Sequence, residues 1–176
     1  DKSNVLQICS HDSRESWCQC DECRTMGTVD GTFKITNLYH RFFSRVVDHI
    51  TERNPEARID VYFYIDYGVA PDDPSIVYKG KNVRGIYCTC FPHSRCYAHR
   101  LTDPECALNA KCLADLRGVL TICPRVYTYE YMTSSDIGYA PVHAVVADDI
   151  KDLDRLGVEG FMDTTVPMNS RIIPRL

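Results

Sequence analysis

Four carboxylates fall at or just beyond the ends of short β-like segments: Asp12, Asp66, Glu130 and Asp163. Two carboxyl groups on one rim can divide general acid and general base work between them. Asp12 and Glu130 are the candidates for that pair, with Asp66 assisting and His11 placed to orient Asp12. Each has a plainer alternative. Asp12, Asp66 and Asp163 suit turns or caps, His11 suits a loop, and Glu130 could pair with an arginine such as Arg95 or Arg100. The second chemistry is sulfur, because the chain carries ten cysteines. The stretch "WCQCDEC" (17–23) holds Cys18, Cys20 and Cys23, and "CFPHSRCYAHRLTDPEC" (90–106) holds Cys90, Cys96 and Cys106. A bond between Cys18 and Cys20 would be strained. Two solutions stay open: disulfides joining the two loops, or a Zn²⁺ held by three cysteines of one loop and one of the other. In both, sulfur orders loops and takes no part in catalysis. Cys9, Cys88, Cys112 and Cys123 lie in apolar patterns and read as buried thiols.

Strands and helices must position these groups. Five segments rich in Val, Ile, Tyr or Phe read as strands: 4–9, 58–65, 82–88, 125–131 and 158–163. Helical patterns span 36–54, 107–122 and 147–157, the first capped by Thr36 and followed by Pro55, the last stopped by Gly157. Alternating strand and helix predict a parallel sheet with helical crossovers. The segment 66–81 departs from this, since it has two prolines and no helical stripe, and it reads as a loop. Long connections follow strands (10–35, 66–81, 89–106, 132–146), whereas the returns from helix to strand are short. That asymmetry fits a (β/α)₈ barrel with functional loops at its C-terminal face, of which 1–176 would be one segment, the later part. An open doubly wound sheet is the other arrangement of five parallel strands. Along 58–66, Ile59, Val61, Phe63 and Ile65 suit the helix layer, while Asp60, Tyr62, Tyr64 and Asp66 face the barrel interior. Glu130 shares a face with Val126 and Thr128.

Length and composition bound the function. A chain of 176 residues, 44% hydrophobic and 25% charged, suits one soluble domain with a real core. A net charge of −4 argues against a general nucleic-acid binder. No apolar run is long enough for a membrane span, and no glycine-rich phosphate loop follows a strand, so no cofactor is expected. The opening "DKSNVLQICSHD" enters a strand pattern at once, as expected of a segment cut from a longer protein that carries the earlier strands.

The stretches "SHDSRESWCQCDECR", "NPEARIDVYFYIDY", "RCYAHRLTDPECALN", "YTYEYMT" and "LGVEGFMDTT" occur in that order. Together they resemble a bacterial family known only as a domain of unknown function, over nearly the whole chain. The cysteine-rich block is the most specific part. Members of that family sit in large secreted proteins of polysaccharide-degrading bacteria, and the family is similar to the catalytic barrel of glycoside hydrolases of the α-glucuronidase and hexosaminidase kind. The resemblance implies a (β/α)₈ barrel, a secreted, periplasmic or cell-surface home, and a carbohydrate ligand. Where the family pattern has "W-D-Y", this chain has Tyr129-Glu130-Tyr131, with a carboxylate one methylene longer.

Glycoside hydrolysis needs two carboxyl groups about 5 to 9.5 Å apart across the scissile bond. This frames the expectation that Asp12, Asp66 and Glu130 open into one concave pocket lined by tyrosines. Trp17, Tyr64, Tyr67, Tyr129 and Tyr131 would offer rings to sugar C–H faces. The loop "PHSRCYAHR" adds His93, Arg95, His99 and Arg100, a basic cluster suited to a uronate or sulfate. Two other functions fit the same residues: a non-catalytic carbohydrate-binding barrel, and a zinc-stabilised interaction module.

Overall fold

The computed structural model describes residues 5–10, 17–89, 95–131 and 143–163. Five parallel strands form one sheet: β1 (Val5–Ile8), β4 (Arg58–Phe63), β5 (Val83–Cys88), β6 (Val126–Glu130) and β7 (Gly160–Asp163). Their order is β1-β4-β5-β6-β7, so each strand lies beside the next one of the sheet along the chain. A doubly wound sheet would reverse direction at a switch point, and this one does not. Three longer helices accompany it: α2 (Ile35–Arg53), α3 (Ala107–Ile122) and α4 (His143–Arg155). Between β1 and α2 stand a short helix, α1 (Asp21–Gly27), and a tiny antiparallel hairpin of β2 (Thr28–Val29) and β3 (Thr32–Phe33).

One hydrophobic core holds this together, on one side of the sheet. Ile59, Val61 and Phe63 of β4, Val83 and Tyr87 of β5 and Val126 of β6 meet Val47 of α2, Leu116 and Val119 of α3 and Leu153 of α4. Helices therefore cover one face, as in a barrel wall. The opposite face carries Asp60, Tyr62, Arg84, Tyr127 and Tyr129, as the alternation of side chains along parallel strands requires. There Arg84 grips Asp60 through two hydrogen bonds of 2.6 and 2.9 Å and lies over the Tyr127 ring at 5.0 Å. Gly160 makes room for that ring, because a Cβ there would stand 2.1 Å from it.

The crossover from β4 to β5 has no α-helix, as its prolines predict. A single 3₁₀ turn, Ile65–Tyr67, opens it. The rest of the loop takes the missing helix's place in the layer by burying Ile76 and Tyr78. The first residues of α2 secure it. Thr36 does not cap the helix. Its hydroxyl donates to the Val69 carbonyl at 2.6 Å, while Asn37 exchanges hydrogen bonds with Asp72 and Arg41 pairs with Asp73. His40, wholly buried, sits between the Tyr78 hydroxyl at 2.7 Å and the Tyr67 carbonyl at 3.0 Å. A carbonyl only accepts, so Nε2 carries the proton and Nδ1 accepts from Tyr78. Burial pushes the His40 pKa down to about 4, so the ring is neutral. α4 ends as its glycine predicts: Gly157 adopts φ 87°, and Val158 and Gly157 donate to the carbonyls of Leu153 and Asp154.

Candidate functional site

The strands of the sheet end at a shallow concavity on the face turned away from α2, α3 and α4. It is lined by Gln7, Cys9 and Ser10 from the end of β1, Tyr62, Tyr64 and Tyr67 from β4 and its turn, Cys88 of β5, and Tyr129 and Tyr131 from β6, with a volume near 320 Å³. This is the rim on which parallel α/β proteins place their ligands. The rings hold one another. Tyr129 and Tyr131 lie 5.3 Å apart at 70°, and Tyr67 stacks on Tyr39 at 3.9 Å. Trp17 contacts the edges of both Tyr39 and Tyr67, and its indole N–H donates to Asp66 at 3.3 Å. Ile65 takes φ 48° between Tyr64 and Asp66. A β-branched residue rarely adopts that conformation, at a cost of roughly 1–3 kcal/mol. The turn that sets Tyr64, Asp66 and Tyr67 around the rim is therefore strained backbone.

Six expected residues thus gather here: Tyr64, Tyr67, Tyr129 and Tyr131 in the concavity, with Trp17 holding Asp66 beside it. Tyr62 is expected on the interior face but not among the sugar-binding rings, and Gln7 and Cys88 are not expected at the site. Alternation from Tyr64 back along β4 places Tyr62 on the same face, and that signal was available. His11, Asp12 and His93 lie outside the described residues. Asp163 ends β7 in register with Glu130.

Glu130 does not join the tyrosines. It is wholly buried on the helix side, where Val126 and Thr128 of the same face enter the core. Its Oε2 accepts from the Thr89 hydroxyl at 2.6 Å, Arg95 at 2.7 Å and the Tyr97 hydroxyl at 2.9 Å. Arg95 is equally buried. It lies over the Tyr97 ring at 4.7 Å and also pairs with Asp149 of α4, which in turn accepts from the Leu101 N–H. Burial pushes the Asp149 carboxyl up against the pull of Arg95. The expectation that Glu130 and Asp12 form an acid/base pair therefore needs correction. β6 turns this acid toward the helices, and three donors hold it there. The plainer alternative, pairing with Arg95, is what the structure displays. The basic cluster needs the same correction. Arg95 is closed off from solvent, and Arg100 is engaged by Asp152 and Asp148 of α4. His99 is exposed and does not line the concavity.

Sulfur gathers in two places. Cys18, Cys20 and Cys23 lie within 4.8 Å of one another, as do Cys96, His99 and Cys106. All nine cysteines among the described residues are free, so no disulfide staples the loop at 17–23 to Cys96 or Cys106; Cys90 lies outside the described residues. Each loop draws its own thiols together instead. In the first cluster the thiols compete for one negative charge. The Cys23 N–H and the neighbouring thiols hold Cys20 below its ordinary value, while the Cys18 and Cys20 thiols push Cys23 up to about 12. Of the other cysteines, Cys88, Cys112 and Cys123 are buried, and Cys9 is exposed on the rim.

No helix of the described residues is long and apolar enough to cross a membrane. No curated protein and no solved structure matches the chain. The model of one family, described as a domain of unknown function (DUF4838), matches residues 1–171. With a parallel, singly wound sheet and a match across nearly its whole length, the chain belongs to the DUF4838 family.

Proposed function

We propose that this domain is the glycan-binding part of a glycoside-hydrolase-like barrel, and that the tyrosine-lined concavity receives the sugar. The observation that carries this is the convergence of Tyr62, Tyr64, Tyr67, Tyr129 and Tyr131 at the C-terminal ends of parallel strands. Sugars present apolar C–H faces between hydroxyls. Tyrosine matches both, with a ring for the face and a phenol for the polar edge. The strained Ile65 turn supports the reading, because such strain persists where function needs a set geometry. Among the described residues β1 and β7 are the edge strands, and Leu6 of β1 is half exposed. Unpaired edges of this kind accept further strands. The partner for them is the remainder of a longer polypeptide in a secreted or cell-surface protein.

A hydrolytic role is the second reading, and Asp66 favours it. With Glu130 locked in the helix layer, Asp66 is the acid that the described residues bring beside this rim, and the Trp17 N–H already orients it. Two measurements on one panel of neutral and uronate-containing oligosaccharides separate the readings: binding by calorimetry, and release of new reducing ends. Binding without turnover, weakened at least ~10-fold by Tyr129→Ala, supports the binding role. Turnover lost in Asp66→Asn with binding retained establishes hydrolysis. An absence of binding to any oligosaccharide, by a folded protein, overturns both.

A further inference from the structure

Cys96, His99 and Cys106 come from one loop and converge because the loop is built around Asn109. This asparagine, wholly buried on the first turn of α3, accepts from the Cys96 N–H at 2.8 Å. Its amide donates to the carbonyls of Cys96, His99 and Arg100 at 2.9, 3.1 and 2.9 Å. Those four hydrogen bonds draw the backbone of 96–100 around one side chain. Cys106 begins α3 as its N-cap residue, three positions before Asn109. The result is a triangle of two thiols and one imidazole whose ligand atoms lie within 4.8 Å of one another, with Cys96 Sγ 3.3 Å from His99 Nδ1.

We propose that Cys96, His99 and Cys106 form a zinc site and supply three of its ligands. In tetrahedral zinc, bond lengths of ~2.3 Å to sulfur and ~2.0–2.1 Å to nitrogen put neighbouring ligand atoms roughly 3.5–3.8 Å apart. The triangle is already close to that size. Two thiolates and one imidazole suit zinc rather than the oxygen-seeking cations. The spacing Cys-x₂-His brings two ligands out of one tight turn, as in structural zinc sites. Binding requires both thiols to lose their protons, so it releases up to two protons and tightens as pH rises. The site has a structural consequence as well. The same loop delivers Arg95 and Tyr97 to Glu130, and Leu101 and Arg100 to Asp149 and Asp152 of α4. A metal at its outer side clamps the segment that joins β5, α3 and α4. None of this depends on the glycan reading.

The test is zinc stoichiometry and competition against a chromophoric chelator, on the full chain prepared with a reductant. The variant Cys18→Ser/Cys20→Ser/Cys23→Ser removes the other sulfur cluster. It is expected to retain one tightly bound Zn²⁺ per chain. Adding His99→Ala is expected to weaken that zinc by more than ~100-fold, beyond the ~10–100-fold typical of losing an outer-shell partner. His99 is exposed, so this variant keeps the fold. Cobalt in place of zinc supplies an independent readout: thiolate-to-metal absorption that survives the triple serine change and is lost when Cys96 and Cys106 are also serine. Zinc absent from the triple-serine variant, unchanged by His99→Ala, or replaced by a Cys96–Cys106 disulfide in the reductant-treated protein, would overturn the site.

Discussion

Replacing Arg95 with methionine tests the claim that Glu130 belongs to the scaffold. Methionine keeps much of the arginine's length and removes its charge. Two carboxylates, Glu130 and Asp149, then remain in a region where neither has solvent exposure. Removing one partner from a buried ion pair costs about 3–5 kcal/mol, because the other charge is left uncompensated. For a chain of this size each kcal/mol lowers the melting temperature by roughly 2–4 °C, so the expected fall is roughly 6–20 °C. The pH dependence identifies the cause. Burial already pushes the Asp149 carboxyl up, and removing the guanidinium takes away the charge that opposes this, so its folded value stands further above the unfolded one. A group with a raised folded pKa loses stability as pH rises, so the variant's deficit is largest at neutral pH and shrinks toward pH ~4. Denaturant unfolding of both proteins at several pH values measures this. The double variant Arg95→Met/Glu130→Gln supplies the internal control. It removes one stranded charge and is expected to be more stable than Arg95→Met alone, whereas independent sites would add their losses. A deficit below ~1 kcal/mol, or one that does not vary with pH, would refute the reasoning.

Three further outcomes follow from single residues. His40 has a folded pKa of about 4 against an unfolded value near ~6.5, so the unfolded chain takes up the proton first. Stability should therefore fall by up to about 3 kcal/mol as pH drops from ~6.5 to ~4, and His40→Gln should remove that part of the slope. Mass-resolved alkylation at neutral pH should label Cys20 before Cys23, since the first thiol is held below its ordinary value and the second is pushed up; the reverse order contradicts the cluster's geometry. Gly160→Ala should cost about 1–3 kcal/mol in denaturant unfolding, because its Cβ would meet the Tyr127 ring, and an unchanged stability would mean the ring moves freely.

Most of the frame was legible in the sequence, for a physical reason. Strands that alternate Ile59, Val61 and Phe63 against Asp60, Tyr62 and Tyr64 declare both their type and their two faces. The strand ends fall within about two residues of the sequence reading, and the loop asymmetry pointed to the face that carries the concavity. α1 and the β2–β3 hairpin were not legible, because seven residues with three acidic or basic side chains leave no apolar stripe to find. Thr36 read as a cap by its type, yet the hydroxyl is used on Val69, a contact between segments far apart in the chain. Glu130 is the instructive case. The sequence put it on one face with Val126 and Thr128, a face that the structure turns to the helices, but its position at a strand end argued for the rim. Alternation wins, since side-chain direction along a strand is fixed by the backbone. What the sequence could not supply was the partner, because Arg95 lies in a loop thirty-five residues away in the chain. The two sulfur clusters show the same limit: residue types were visible, and which thiols meet was not.

The central claim is that the glycan binds on the tyrosine rim. Hydrogen–deuterium exchange, with and without an oligosaccharide that the domain binds, tests it most directly. The account predicts slowed exchange at residues 7–10, 62–67 and 129–131, around the concavity at the C-terminal ends of the strands. Protection confined instead to the opposite end of the sheet, around Val5, Arg58, Asn82 and Arg125, would contradict it.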